Sequence, residues 1–592
     1  MRAWSLTGVH EARDLAGRPS YRERDPAPEE RQENMAASRP ARVAILEQFR
    51  ADGVTHIFGN PGTVEQGFLD ELRGFPDIEY VLALHEAAAV GVADGYARST
   101  RRPALVQLHY GVGLGNGIGM LYEALRGQTP LVVVAGEAGV AYDGMDSQGS
   151  ADLVGMAKLV TKWSTRVVNP ASTLRMLRRA FKIAATPPYG PVLVVLPADV
   201  MDAVIEEEVV PTSFLDAAAR PSQDAVERAA RLLSGARRPI IIAGDGVHFS
   251  GAQDELARVA ETWGAEVWGA DWSEVNLPAD HPLCRGEIGR MFGTSSHRIT
   301  AAADAVLICG TYVMPEVFPA MEGVFAPGAK VVHIDLDGEA IAKNFPVDLG
   351  LVADPRHALG LLAEALERQM TPEARTAAGE RLRASAEDKA ETRDRARARD
   401  LEDADTLPLS TAVFAHELAR RLPEDAMVFD EALSSSPAVS RYLRANLPGH
   451  WHKSRGRTLG VGLPGAVGMK IANPDRTVIG FSGDGGAMYT FQALWTAARH
   501  DVAAKFVICN NGRYRTLDDN VVHYWGTQGI AEHELPAMFD ISHPAIGFTG
   551  LAESLGVRAV RVEKPEQVAG AITQALEHQG PFLIDLVIGR DS

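Results

Sequence analysis

A carboxylate set among glycines, Gly483-Asp484-Gly485-Gly486, is followed by Asn510-Asn511-Gly512, so that Asn511 stands 27 positions beyond Asp484. Carboxylate and amide oxygens are hard ligands suited to Mg²⁺ or Ca²⁺. Glycines let the backbone approach a phosphate, and the N-terminus of a following helix favours the anion. A divalent ion between Asp484 and Asn511 would therefore clamp a diphosphate. Apolar runs precede both motifs: Val478-Ile479-Gly480-Phe481 and Phe506-Val507-Ile508-Cys509. Each reads as a short buried strand. Between them Phe491, Leu494, Trp495 and Ala498 recur at helical spacing. The polar residues thus fall at the carboxyl ends of parallel strands, where open α/β sheets bind ligands.

The chain carries its own control. Gly244-Asp245-Gly246 also follows an apolar run, but position 272, at the matching distance, is Trp272. That copy reads as structural.

A length of 592 residues implies three or four domains. Apolar content of 46% and charged content of 23% describe a globular protein. A net charge of −18 argues against nucleic-acid binding. Lys453, Arg455, Arg457, Arg513 and Arg515 gather near the diphosphate motif, where they could offset the acidity for an anionic substrate. Cys284, Cys309 and Cys509 show no metal-type spacing and no disulfide framework, which fits a cytoplasmic location. No apolar run approaches the roughly 18 residues that cross a membrane, so no membrane partner is expected.

Residues 1–38, rich in Arg, Glu and Pro, read as a disordered N-terminal extension. Residues 39–215 alternate strands and helices, with strands expected at 54–58, 78–84, 104–109, 131–135 and 192–196. A small-residue helix is expected at 87–97 and a glycine-rich loop at 111–119. After a linker at 211–222, a second α/β unit spans 223–370, with strands at 239–243, 266–268, 305–309 and 330–334. Residues 371–406, dominated by Glu, Arg, Asp and Ala, read as a charged linker. The third unit, 407–592, holds the diphosphate motif, with strands including 427–429, 478–481, 505–509 and 582–587. The fold class is α/β, with three doubly wound parallel-sheet domains.

The diphosphate motif resembles the thiamine-diphosphate (ThDP) signature, Gly-Asp-Gly followed some 25–30 residues later by Asn-Asn. Over about 40–592 the chain resembles the ThDP-dependent 2-oxo acid decarboxylase and acetolactate-synthase-like family. The marks are Phe58-Gly59-Asn60-Pro61-Gly62, Leu84-His85-Glu86-Ala87-Ala88, Asp94-Gly95-Tyr96-Ala97-Arg98, Lys162-Trp163-Ser164 and Leu459-Gly460-Val461-Gly462-Leu463-Pro464. Gly-Asn-Pro-Gly, with Leu108-His109 before Gly113-Leu114-Gly115-Asn116, is similar to the benzoylformate decarboxylases within it. The three domains would then bind the coenzyme's pyrimidine, serve as a middle domain, and bind its diphosphate.

The resemblance implies roles. Asp484, Asn511 and the Arg513 carbonyl would hold Mg²⁺. Glu86 would activate the coenzyme, His109 would relay protons, and Thr63 would stand where the decarboxylase has a serine. Leu459 would be the apolar wedge that bends the coenzyme, and the Arg457 carbonyl would accept from its pyrimidine. Ser434, Gly483, Gly485, Gly486 and Tyr514 would line the diphosphate. It further implies a small-molecule 2-oxo acid substrate and a homo-oligomer, a dimer of dimers with sites between subunits.

Two departures bear on substrate. The stretch Thr311-Tyr312-Val313-Met314-Pro315-Glu316 lacks the second histidine that benzoylformate decarboxylase draws from its middle domain. The segment after Asn511, Gly512-Arg513-Tyr514-Arg515-Thr516-Leu517-Asp518-Asp519-Asn520, is unusually polar. A more polar or larger 2-oxo acid, or a second acceptor, is expected, with Arg515 and Thr516 as its contacts. The expected activity is ThDP- and Mg²⁺-dependent decarboxylation of a 2-oxo acid, with ligation to a second carbonyl as a further outcome. An acetolactate-synthase-like or flavin-containing ThDP enzyme is one alternative, although FAD is not expected. A non-catalytic ThDP-binding regulatory subunit is the other.

Overall fold

The computed structural model describes residues 38–589 apart from Gly149, Val313 and Asp403. The extension expected at 1–38 falls, but for its last residue, outside the described residues.

Three six-stranded sheets carry the fold, and every strand pairing in them is parallel. The first is built from His56–Gly59, Glu79–Leu82, Ala104–His109, Leu131–Glu137, Trp163–Arg166 and Val192–Pro197. Counted along the chain, these lie side by side as second, first, third, fourth, sixth, fifth. The last sheet contains Met427–Glu431, Trp451–Lys453, Val478–Gly483, Lys505–Asn510, Arg558–Val562 and Phe582–Val587, in the same order. The middle sheet differs. Its strands Pro239–Ala243, Glu266–Ala270, Cys284–Ile288, Ala305–Cys309, Lys330–Asp335 and Leu349–Val352 lie as third, second, first, fourth, fifth, sixth. That is the strand order of dinucleotide-binding sheets.

The central strands explain themselves. Leu131–Glu137 is buried along its whole length and dominated by valines, and Pro239–Ala243 is likewise buried. Helices cover both faces of such sheets, so β-branched residues are enclosed on either side.

The first and third domains share one hydrophobic core. Its centre is the contact of helix Glu86–Thr100 with helix Gly462–Ala472. A methyl group on Gly468 would sit 1.8 Å from the Val92 carbonyl oxygen, and one on Gly95 would sit 2.1 Å from that of Gly465. Only glycine lets the two backbones meet this closely.

Residues 111–119 are not a loop. They belong to helix Tyr110–Arg126. Glycine costs an isolated helix about 1 kcal/mol per residue, but packing outweighs it here. A methyl group at Gly113 would stand 3.2 Å from Glu86 Oε1, and one at Gly117 would stand 3.3 Å from the Leu108 side chain. The small residues let this helix lie against the Glu86 carboxylate. Within the segment expected as a charged linker, Pro372–Glu402 is a single helix of 31 residues with only Ala378 and Ser385 buried. It is held by long polar side chains. Arg381 donates to the carbonyls of Trp263 and Gly264, and Lys389 donates to those of His281 and Cys284.

Candidate active site

Glu86 is the first residue of its helix and is buried. His85 caps that helix by accepting from the Ala87 N–H at 3.1 Å. The Glu86 carboxylate takes two amide donors, Asn60 Nδ2 at 3.2 Å and Asn116 Nδ2 at 2.9 Å. Asn60 comes from the turn after the first strand and Asn116 from the glycine-bearing helix. Three elements therefore fix one carboxylate.

His109 ends the third strand close by. Its Nδ1 lies 3.0 Å from Oε2 of Glu65, a residue with 2% exposure. Burial pushes the Glu65 carboxyl up, and His109 partly offsets that. Gly62 is obligatory beside it, since a methyl group there would overlap the imidazole. Thr63 is exposed on the turn between Gly62 and Glu65. Tyr80, hydrogen-bonded to Gln107, is likewise raised by burial, with Glu65 and Glu86 adding to it.

In the third domain Gly483 and Asn510 end two paired strands. Asp484 is buried, and its oxygens accept from Gly485 N–H at 2.8 Å and Gly512 N–H at 2.6 Å. Burial still pushes it up to about 6. Asn511 Oδ1 accepts from the Arg513 N–H at 3.0 Å. One carboxylate, one amide oxygen and nearby main-chain carbonyls form a hard, oxygen-only donor set, which fits Mg²⁺. A buried carboxylate met only by neutral donors also gains from a cation. Gly483 faces open space, whereas a methyl group on Gly485 would strike the Tyr514 ring. Ser434 lies in the turn Leu433–Ser435, whose Leu433 carbonyl accepts from Arg290 at 3.4 Å.

Leu459 is half-buried in a loop pinned from behind. Glu431 accepts from the N–H groups of Gly460 and Gly462, and burial pushes this carboxyl up to about 8. A methyl group on Gly486 would come 3.1 Å from the same carboxylate. The loop of Leu459 and the turn of Gly485 and Gly486 therefore share one support. Arg457 adopts a φ of 60° and turns its guanidinium to the middle domain, 3.0 Å from Asp271 and 4.5 Å above the Trp272 ring.

Arg515 and Thr516 open helix Arg515–Gln528 and are half-buried. Arg515 Nε lies 3.1 Å from Asp519. The basic cluster expected to offset the acidic charge is itself paired: Lys453 with Glu287, Arg455 with Asp245, Arg457 with Asp271, and Arg513 with Asp518. The folded chain neutralises these charges internally.

Glu86 and Asp484 thus centre two separate clusters, with no hydrogen bond or ion pair between them among the described residues. Sequence reasoning missed Glu65 and Glu431. Their partners lie 44 and 29 positions away, beyond any local pattern.

The thiamine pyrophosphate (TPP, the same coenzyme) enzyme family matches three stretches of the chain. Its N-terminal TPP binding domain matches residues 41–156, its central domain 226–362 and its C-terminal TPP binding domain 434–586. The chain belongs to this family of TPP-dependent enzymes, within the group of decarboxylases and acetolactate-synthase-like carboligases. It is 32% identical to benzoylformate decarboxylase of Pseudomonas aeruginosa, over 92% of this chain and 98% of that one. It is 29% identical to a probable acetolactate synthase large subunit of Methanocaldococcus jannaschii, over 92% and 91%. Among solved structures it resembles the Rhodococcus jostii thiamine diphosphate-dependent 4-hydroxybenzoylformate decarboxylase, with a TM-score of 0.79 and 28% identity, covering 93% of this chain and 99% of that one.

Proposed function

We propose that this chain, with ThDP and Mg²⁺ bound, decarboxylates a 2-oxo acid more polar or larger than benzoylformate. The supporting observation is that one chain carries both a carboxylate held by two amide donors at Glu86 and an oxygen donor set at Asp484 and Asn511. Asp484, Asn511 and the Arg513 carbonyl would hold the metal. Gly483, Gly485, Gly486, Ser434 and Tyr514 would line the diphosphate, Leu459 would pack against the coenzyme, and the Arg457 carbonyl would accept from its pyrimidine. Bound ThDP supplies a nucleophilic carbon and an electron sink for the loss of carbon dioxide.

The protein's own groups do the rest. Glu86, kept in place by Asn60 and Asn116, would stand against the coenzyme's pyrimidine and so favour loss of the thiazolium proton. His109, oriented by Glu65, moves a proton to or from the substrate carbon, with the Thr63 hydroxyl nearby. Imidazole suits this near neutrality. Arg515 and Thr516 meet the substrate carboxylate, for which a guanidinium offers two parallel donors.

Likeness to acetolactate synthases supports a second outcome, ligation to another carbonyl in place of protonation. A regulatory role fits less well, because Glu86, Asp484 and Asn511 all stand in formed clusters. The separation of those clusters within one chain supports a site completed between two copies, in a dimer or dimer of dimers. Val112, exposed near Glu86, and Met488 and Tyr489, exposed near Asp484, would be covered there. Free Cys284, Cys309 and Cys509 suit the cytoplasm.

A panel of 2-oxo acids, with and without aldehydes, tests the reading in the presence of ThDP and Mg²⁺. Carbon dioxide with an aldehyde product marks a decarboxylase, and a 2-hydroxy ketone marks a carboligase. Neither product from any 2-oxo acid contradicts the proposal. A yellow protein with flavin absorbance would favour the flavin-containing alternative.

A further inference from the structure

The loop bearing Leu459 is gripped by the middle domain. It leaves Trp451–Lys453, an edge strand of the third sheet. From there every second side chain takes an acidic partner in the middle domain. Lys453 Nζ is 2.8 Å from Glu287, Arg455 pairs with Asp245, and Arg457 is 3.0 Å from Asp271. One residue earlier, buried His452 places Nδ1 2.9 Å from Glu274. The other Glu274 oxygen takes Arg98 at 3.1 and 2.6 Å, and Arg98 donates on to the Lys453 carbonyl at 2.9 Å. Burial opposes ionisation of Glu274, but His452 and Arg98 outweigh it and hold its carboxyl well below the usual range.

The Gly244-Asp245-Gly246 turn takes part. Its glycines serve close contact, since a methyl group on Gly246 would stand 2.5 Å from Gly310 Cα. Its aspartate accepts from the Glu274 N–H at 3.0 Å and pairs with Arg455. Arg455 in turn donates to the carbonyl of Trp272, a residue kept at a φ of 63°. Non-glycine residues persist in that region only when their surroundings impose it.

We infer that the middle domain is a positioning device for the coenzyme loop, in which Asp245, Asp271, Glu274 and Glu287 set residues 452–457 and, through them, Leu459. The inference rests on the proposed coenzyme role of Leu459. These four are positioning residues and touch no substrate.

Amide hydrogen exchange and ThDP titration on the full-length protein with Mg²⁺ test it, using Asp245→Asn and the milder Asp271→Asn. Each removes one charged partner and keeps the side-chain shape. Exchange across 453–460 should quicken about tenfold, while 478–486, around the diphosphate turn, stays as in the wild type. The ThDP titration midpoint should rise roughly tenfold, in keeping with one lost charge-assisted hydrogen bond. Asp245→Arg with Arg455→Asp restores the opposite-charge pair but neither the Glu274 N–H nor the Trp272 carbonyl bond, so it should recover only part of both losses. Wild-type exchange and wild-type ThDP affinity in Asp271→Asn and Asp245→Asn would overturn the inference alone. So would exchange that rises equally in both segments with no change in affinity. A wild-type protein that takes up no ThDP would overturn the proposed function, and this inference with it.

Discussion

Glu65 and His109 are joined across 44 residues of chain, with carboxylate oxygen and imidazole nitrogen 3.0 Å apart. The carboxylate is almost fully buried and the ring is partly open, with side-chain exposures of 3% and 17%. In the proposed proton relay, a carboxylate facing Nδ1 would keep the proton on that nitrogen and leave Nε2 toward the substrate.

Glu65→Gln should therefore lower kcat about 10–100-fold with little effect on ThDP affinity. His109→Ala should lower it further, within the roughly 10²–10⁴-fold range of acid–base groups. Steady-state kinetics beside a ThDP titration separates the two effects. Unchanged kcat in Glu65→Gln would remove the pair from the mechanism.

Glu86→Gln should keep the coenzyme and lose turnover. One of Asn60 and Asn116 can still donate to the amide oxygen in that place, but the carboxylate charge is gone. A fall in kcat of about 10²-fold or more is expected, with the ThDP midpoint within about threefold of wild type. Full turnover would remove Glu86 from its proposed role.

Glu431 ties its support of the Leu459 loop to pH. Its folded carboxyl is raised by burial from 4.5 to about 8. The folded state thus holds a proton that the unfolded chain releases near 4.5. That contribution is full below about pH 4.5 and is lost as pH rises through 8. Relative to Glu431→Gln, wild-type stability should decline by up to about 4 kcal/mol between pH 4.5 and 9. Urea midpoints of both proteins at pH 5, 7 and 9 measure it. Parallel curves would contradict the assignment.

Gly468→Ala should damage the junction of the first and third domains. Its methyl group would overlap the Val92 carbonyl oxygen, which the helix backbone cannot move aside. A loss of about 3 kcal/mol, the upper end for overpacking, is expected. It would appear as a lower thermal midpoint. A midpoint equal to wild type would show that the helices pack less closely.

Strands with both faces buried were legible as mainly apolar runs, even where Gln107 or Asp585 interrupts them. Ala104–His109, Pro239–Ala243, Ala305–Cys309 and Phe582–Val587 have the bounds read from sequence. Trp163–Arg166, Cys284–Ile288, Leu349–Val352, Trp451–Lys453 and Arg558–Val562 were not read, and each is a sheet edge. Edges have a neighbour on one side only, so polar residues enter and the runs break, as in the buried–exposed alternation of Leu349–Val352. The helix at 111–119 was hidden because glycine signals a turn locally, while its packing partners lie far off in sequence. Asp484 and Asn511 stood out because adjacent parallel strands give their spacing a period. Glu65, Glu123 and Glu431 did not, because each is defined by a partner from another element. Glu123, for instance, accepts from the N–H groups of Gly456 and Thr458 in the third domain.

Calorimetric titration of ThDP at fixed Mg²⁺, into wild type, Asp484→Ala and Asn511→Ala, tests the central claim most directly. Asp484 supplies the only carboxylate in the proposed donor set, and Asn511 supplies a neutral oxygen. Wild type should bind, Asn511→Ala should bind about tenfold more weakly, and Asp484→Ala should show no Mg²⁺-dependent binding. Undiminished binding by Asp484→Ala would contradict the account.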